Sequence, residues 1–259
     1  MDMVIGADGD SSVCERCGGT GWIVIGEDAY HCDCHSGMRL NQLEREPNIP
    51  ARYSHCSFLN FKSDNNTSLQ RGLEVAKDFV NMYPANRDGL LFMGGCGVGK
   101  THLAVGIIEE IIATKGASCL FIDFRSLLEE IKETFQTSSE GPSEMDILGP
   151  VLETDVIILD DLGAEKTSEW VLDRLGFIIN HRYNHQKTMK ITTNFLDPKN
   201  EKSNLERATE TLESRIGVRL RSRLYEMCKL VEIDAEDFRK KTAKKRATSR
   251  SGRPRNRAY

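Results

Sequence analysis

The chain has 259 residues, of which 39% are hydrophobic and 29% charged, with a formal net charge of −4. This composition is typical of a folded protein, and the length accommodates one large α/β domain with a small accessory module. No run approaches the roughly 18 apolar residues of a membrane-spanning helix and the N-terminus lacks a basic start, so we expect a cytoplasmic protein without a membrane partner.

The N-terminal segment contains two close pairs of cysteines, Cys14 with Cys17 and Cys32 with Cys34. This segment has too little apolar surface for a core of its own and needs a cross-link. Four thiolates give the tetrahedral site that suits structural Zn²⁺. Because the second pair is unusually close, His31 or His35 is an alternative to one of its members. Unliganded cysteines are the other interpretation.

A polar connector with two prolines follows, and beyond it short apolar runs alternate with segments of helical periodicity. The predicted helices are 69–83, which begins after an N-cap at Thr67 or Ser68, 101–114, 126–135, 169–184 and most of 205–228. The predicted strands are 90–93, 118–123, 156–160, 189–193 and 230–233, and 137–143 is predicted to be a loop. This alternation predicts an α/β fold with a mainly parallel sheet flanked by helices.

The turn after the first of these strands has the spacing of a P-loop. Its residues are Gly94, Gly95, Cys96, Gly97, Val98, Gly99, Lys100 and Thr101. Glycines let backbone N–H groups surround a phosphate, and the following helix points its positive end at the same anion. We therefore expect Lys100 at the β and γ phosphates of ATP and Thr101 on Mg²⁺. A glycine-rich turn without a ligand is the alternative, and the flanking strand and helix favour the P-loop.

Polar residues end two of the later strands. Asp160 and Asp161 follow a fully apolar strand, and ligands of open α/β sheets bind at this edge. We expect Asp160 to hold the water shell of Mg²⁺ and Asp161 to act as general base on the attacking water. Asn194 ends the next strand, where it either orients that water or caps a turn.

Four arginines lie on one predicted helix, at Arg215, Arg219, Arg221 and Arg223. Arg219 and Arg223 are neighbours on one helical face. They are either solvated surface charges or residues that reach the γ-phosphate bound by a neighbouring subunit. Arg239 follows the last strand and is a candidate for contact with phosphate in its own subunit.

The C-terminal segment, 239–259, has ten Lys and Arg and no acidic residue, which leaves 25 basic against 39 acidic residues elsewhere. A segment so basic and so poor in apolar residues is predicted to be a disordered tail. It either binds nucleic-acid phosphates or is a solvated, solubilising extension.

Together these segments resemble the DnaC/DnaI/IstB group of AAA+ ATPases, over residues 50–239. The resemblance rests on GGCGVGKTHLA at 94–104, VIILDDLGAEK at 156–166, ITTN at 191–194 and RLRSRL at 219–224. It implies a sheet in 5-1-4-3-2 order, self-association through the AAA+ domain, and a nucleotide site that includes His102. It also implies that Arg223 is the arginine finger, Arg219 a neighbouring interface arginine and Arg239 the second sensor. Asp161, where most AAA+ proteins have Glu, implies slow, switch-like hydrolysis.

The cysteine-rich start is similar to that of phage and Gram-positive helicase loaders. The expected organisation is a zinc-binding helicase-docking module at 1–46, a connector at 47–66, an AAA+ domain at 67–238 and the tail at 239–259. The expected function is ATP-dependent delivery of a hexameric replicative helicase of the DnaB type to single-stranded DNA. An IstB-like transposition helper, which acts with a transposase on duplex DNA, is the alternative. A non-catalytic adaptor with a bound nucleotide is a third reading.

Overall fold

The computed structural model of the chain describes residues 22–25, 28–31, 47–63, 65–135, 141–165, 168–197 and 210–240. The chain divides into two units, Met1–Arg45 and Glu46–Tyr259. Within the described residues, no helix is both long enough and apolar enough to cross a membrane.

The first unit contains a β-hairpin. Strand β1 (Trp22–Ile25) pairs antiparallel with β2 (Asp28–His31), and Trp22 lies opposite His31 in the register. The predicted zinc ligands Cys14, Cys17, Cys32 and Cys34 lie outside the described residues. The zinc site therefore stays a prediction.

The second unit is built on a five-stranded parallel sheet. Its strands are β3 (Gly89–Gly94), β4 (Cys119–Asp123), β5 (Val156–Asp160), β6 (Thr188–Thr193) and β7 (Cys228–Ile233). Their order across the sheet is β4-β5-β6-β3-β7, and every neighbouring pair is parallel. Counted from β3, this is the 5-1-4-3-2 order that the family resemblance implied, and the predicted fold class is confirmed.

Seven helices are found among the described residues. They are α1 (Thr67–Met82), α2 (Lys100–Lys115), α3 (Phe124–Thr134), α4 (Glu144–Glu153), α5 (Glu169–Asn184), α6 (Leu212–Ile216) and α7 (Val218–Met227). Helices α1 and α2 cover one face of the sheet, and α3 to α7 cover the other. Alternate residues of one strand serve the two cores: Leu90 packs on the α1–α2 side and Leu91 on the opposite side. Burial on both faces explains why the strands are continuous apolar runs.

Three predicted elements differ from the structure. Helix α4 was not predicted, although Ser143 and Asp146 form a capping box at its start, because Gly149 and Pro150 obscure the helical pattern. The described part of 205–228 is not one helix, since Gly217 has φ 81° and separates α6 from α7. Helix α1 is capped by Asn66 and not by Thr67 or Ser68.

The connector packs directly on the ATPase core. Cys56 and Phe58 are buried, and the backbone N–H of Phe121 in β4 donates to the carbonyl of Pro47 at 2.7 Å. The Phe58 ring lies against Gly106 in the middle of α2, where a Cβ atom would be 2.8 Å from the ring. The connector therefore belongs to the same core as α1 and α2.

Gly106→Ala should destabilise the protein despite the better helix propensity of alanine, because the added methyl group overpacks the Phe58 contact. We expect a loss of about 1–3 kcal/mol. Gly176→Ala is the matched control, since a Cβ there meets only Leu220 at 3.7 Å, and it should gain up to about 1 kcal/mol. Urea unfolding of both variants measures the difference. Equal stabilisation by the two substitutions would contradict the packing of the connector.

Candidate nucleotide-binding site

The P-loop lies between the end of β3 and the start of α2. Gly97 and Gly99 have φ values of 73° and 105°, which side-chain-bearing residues rarely adopt. Gly99 is also approached by the Phe61 ring, which would be 2.9 Å from a Cβ atom. Helix α2 begins immediately afterwards, so its free N–H groups face the loop. This is the geometry of an anion site at a helix N-terminus.

Lys100 is folded back over this loop and is only 6% exposed. Its Nζ donates to the carbonyls of Gly94 at 3.0 Å and Gly95 at 2.7 Å, and to Oδ1 of Asn194 at 2.7 Å. Burial lowers the pKa of Lys100, and the nearby Asp161 opposes that shift. The ammonium group is therefore held at the loop by exchangeable polar partners.

Asp160, at the end of β5, accepts two hydroxyl hydrogen bonds on its Oδ1. Thr101 of α2 donates at 2.9 Å and Thr192 of β6 donates at 2.7 Å. The carboxylate is 6% exposed. Burial raises the pKa of Asp160, the two hydroxyl donors lower it, and the neighbouring Asp161 and Asp123 raise it further. Asp160 thus ties three elements together at some electrostatic cost.

Asp161 has a left-handed backbone with φ 57°, a conformation that costs energy for a residue other than glycine. Its N–H donates to Thr192 Oγ1 at 2.9 Å, and Asn194 Nδ2 donates to its Oδ1 at 2.6 Å. Because Lys100 donates to the other end of the Asn194 amide, these side chains form a continuous chain from the P-loop to Asp161.

These groups line a cavity of about 690 Å³, a size typical of small-molecule sites. Its lining is Arg52, Tyr53, His55, Cys56, Cys96, Gly97, Gly99, Lys100, Thr101, His102, Asp123, Asp160, Asp161, Thr192, Asn194, Phe238 and Arg239. Most residues predicted from the sequence to bind nucleotide are therefore at one place. Arg239 is brought there by a backbone hydrogen bond from Phe238 to Gly97.

Two predicted residues have surroundings that the motif did not reveal. Val98 is 3% exposed and packs in the core. His102 Nε2 lies 2.9 Å from the Ser57 carbonyl, and its ring meets Phe61 edge-on. Since burial lowers the pKa of His102, we expect a neutral ring whose Nε2–H donates to Ser57. His102 thus links the connector to the P-loop helix.

The predicted arginine finger is not at this cavity. Arg223 donates to Asn180 Oδ1 and lies over the Tyr183 ring at 5.9 Å, on the α5 side of α7. Arg219 is exposed. Neither arginine is among the residues that line the cavity of its own chain.

Sequence reasoning missed the contribution of the connector to the cavity. Arg52, Tyr53 and His55 line it, but no motif marks them, and the contact exists only because 47–63 packs beside β4 and α2. Asp123 was also missed, although it ends β4 at the same edge of the sheet as Asp160, which the edge rule for parallel sheets predicts.

The donor set fits Mg²⁺. Thr101 and Asp160 offer a hydroxyl and a carboxylate whose oxygens are 2.9 Å apart, and Mg²⁺ prefers oxygen ligands beside substrate phosphates. Among the described residues, no group of three or more His, Cys, Asp or Glu could hold a metal ion alone. The ion would therefore need phosphate oxygens and water to complete its shell.

The sequence of the chain matches a known protein family. The profile of IstB-like ATP binding proteins matches residues 59–247, which include the P-loop, both aspartates and the arginine helix. The chain belongs to this family. The replicative helicase loader DnaC of Escherichia coli K12 is 26% identical over 184 residues, which cover 71% of this chain and 70% of that protein.

Solved structures of the AAA+ kind agree with the fold. A crystal structure of the DnaC helicase loader has a TM-score of 0.61 and 34% identity, over 71% of this chain and all of that one. AMPPCP-bound DnaA from Aquifex aeolicus has a TM-score of 0.53 at 18% identity, over 81% of this chain and 59% of that one. The second likeness concerns the fold alone, and both place this family member among the AAA+ P-loop NTPases, as predicted.

Asp160→Asn should make the nucleotide-free protein more stable at neutral pH. The amide keeps an acceptor oxygen for Thr101 and Thr192 and removes a buried charge. The pKa of Asp160 is higher in the folded state than in the unfolded state. Protonated Asp160 therefore stabilises the folded state below the unfolded-state pKa, and this stabilisation is lost as the pH rises through the folded-state pKa. The advantage of the variant should therefore shrink as the pH is lowered.

Thermal unfolding across the pH range measures this effect. Asp78→Asn, at an exposed position of α1, is the control and should change little. A variant that is less stable than the unsubstituted protein at neutral pH would contradict the electrostatic cost of Asp160.

Proposed function

We propose that this protein is an ATP-hydrolysing switch that loads a replicative helicase onto single-stranded DNA. The observation that carries the proposal is the polar chain from Lys100 through Asn194 to Asp161, beside the paired Thr101 and Asp160. Family membership and similarity to proteins named as helicase loaders support the biological role.

In this proposal the phosphates of ATP lie over Gly94–Gly99 at the N-terminus of α2. Lys100 exchanges its bonds to the Gly94 and Gly95 carbonyls for phosphate oxygens. Thr101 would be a ligand of Mg²⁺, and Asp160 would hold its water shell. When bound, this ion neutralises charge on the β and γ phosphates.

Asp161 accepts a proton from water, which attacks the γ-phosphorus while the bond to the bridging oxygen of ADP breaks. Asn194 donates to Asp161 and accepts from Lys100, and these contacts support a role in orienting that water and sensing the γ-phosphate. Arg239 contacts phosphate in its own subunit. Arg223 of a neighbouring copy supplies positive charge to the transition state, which explains its distance from its own cavity.

The connector lines the same cavity, and we assign it to the base and ribose. The Tyr53 hydroxyl is protonated at neutral pH and burial raises its pKa further, so it can donate a hydrogen bond. Arg52 and His55 also line this cavity. Nucleotide binding would thereby tighten the connector, which the hydrogen bond between His102 and Ser57 already ties to α2.

The N-terminal unit is proposed as the helicase-docking module. Its two cysteine pairs flank the β1–β2 hairpin in sequence, an arrangement that supports a structural Zn²⁺ held by Cys14, Cys17, Cys32 and Cys34. The module at 1–46, the connector at 47–66, the ATPase domain at 67–238 and the basic tail at 239–259 remain the proposed organisation. The tail is a candidate for contact with DNA in the bacterial cytoplasm.

The second candidate is a transposition helper that acts with a transposase on duplex DNA. The match to the profile of IstB-like proteins favours it. Both candidates use the same ATPase site, and they differ in the partner of the N-terminal unit.

Lys100→Ala should abolish ATP binding and turnover, because it removes the charged contact with the β and γ phosphates. Asp161→Asn should keep ATP binding and lower single-turnover hydrolysis by about 10²–10⁴-fold. Lys115→Ala, exposed at the far end of α2, is the control and should match the unsubstituted protein. Tight ATP binding without measurable turnover in the unsubstituted protein would favour a non-catalytic adaptor.

The mass of complexes formed with the host replicative helicase, with and without ATP, tests the partner. We expect a defined complex that is lost in the Cys14→Ser/Cys17→Ser variant while ATP turnover is retained. Failure to associate under every nucleotide condition would contradict the loader function and favour the transposase as partner.

A further inference from the structure

The loop that leaves β6 contacts two functional regions within four residues. At its start, Asn194 joins Lys100 and Asp161 in the cavity. Three residues later, Asp197 points to the arginine-bearing helices α6 and α7. Its side chain is only 6% exposed, which is unusual for a carboxylate at a loop and requires charged or polar partners.

Asp197 has three such partners. Its Oδ2 accepts from Arg221 Nε and from the Tyr225 hydroxyl, and its Oδ1 accepts from the backbone N–H of Glu213 at 3.4 Å. Arg221 in turn pairs with Glu213 at 3.1 Å and lies 4.5 Å from the Tyr225 ring centroid. One carboxylate therefore holds α6 and α7 at once, and we call this group the Asp197 clasp.

A second attachment joins α6 to the loop after β5. Arg215 of α6 donates to the carbonyls of Gly163 and Glu165, each at 2.7 Å. Its guanidinium also lies 5.0 Å from the ring of Phe195, the residue after Asn194. Helix α6 is thus fixed to both loops that carry the hydrolytic residues, and α7 is fixed to the loop that carries Asn194.

The two faces of α7 are used differently. Arg221 and Tyr225 are one turn apart on the face held by the clasp. Arg219 and Arg223 are one turn apart on another face, because a step of two residues rotates about 200° around a helix. Arg219 is exposed there and Arg223 contacts α5. Because the clasp holds the face with Arg221 and Tyr225, it also sets the direction of the face with Arg219 and Arg223.

We propose that Asp197 is a positioning residue that fixes the arginine face of α7 relative to the loop carrying Asn194. Arg223 then reaches the correct position at the ATP site of a neighbouring copy. This rests on the proposed role of Arg223 at a neighbour's ATP. A charged clasp suits that task better than apolar packing would, because hydrogen bonds from a guanidinium set direction as well as distance.

A mixture of two full-length variants tests this assignment by single-turnover ATP hydrolysis. The donor, Lys100→Ala, has no usable site but presents α7. The acceptor, Arg223→Ala, has an intact site but no finger. Turnover in this parent mixture comes only from acceptor sites that face a donor, so Asp197→Asn can be placed in either partner separately.

In the donor, Asp197→Asn should lower the turnover of the mixture by roughly 10- to 100-fold, since displacement of a catalytic group by about 1 Å has effects of this size. The donor site binds no ATP, so this loss is independent of Asn194 in the same chain. Tyr225→Phe in the donor removes one hydrogen bond and should cause a smaller loss. Asp78→Asn in the donor is the matched control and should cause none.

A loss confined to Asp197→Asn in the acceptor, or no loss in either partner, would overturn the assignment. Thermal unfolding of each donor checks folding, and Tyr225→Phe decides the question if Asp197→Asn does not fold. A parent mixture without turnover would overturn the role of Arg223 itself, and the assignment of Asp197 with it. An active parent mixture that Asp197→Asn and Tyr225→Phe leave unchanged would overturn the assignment alone.

Discussion

The contact on which this arrangement depends is the buried carboxylate of Asp160 between two threonine hydroxyls. Thr101 belongs to the P-loop helix and Thr192 to β6, so one side chain fixes three elements relative to each other. Burial and the nearby acidic residues oppose the charge of Asp160. A cation beside Asp160 would relieve that opposition, so binding of a metal–nucleotide complex would stabilise the folded protein.

The same edge of the sheet explains how distant parts of the chain are connected. Parallel strands end together, so the loops after β5 and β6 lie side by side above the P-loop. Asp161 and Asn194 meet on the cavity side of these loops, while Gly163, Phe195 and Asp197 contact α6 and α7 on the other. The loops after β5 and β6 therefore line the cavity on one side and contact the arginine-bearing helices on the other.

The connector links the cavity to the core on the opposite face of the sheet. Phe58 and Phe61 fit against α2 where Gly106 and Gly99 have no side chain, and His102 adds a polar link. Tyr53 then reaches the cavity. A segment whose sequence resembles a linker is thus part of the wall that a nucleotide would touch.

The sequence by itself determined the α/β class, the strand runs and the P-loop, because buried parallel strands and a glycine-rich turn before a helix leave local patterns. It also indicated Asp160, Asp161 and Asn194, since they end or directly follow a strand at a known edge. Only the tertiary structure placed Tyr53 at the cavity, tied His102 to Ser57 and joined Asp197 to Arg221. These contacts connect residues far apart in the chain, and nothing in local spacing encodes which surfaces the packing of the two cores brings together.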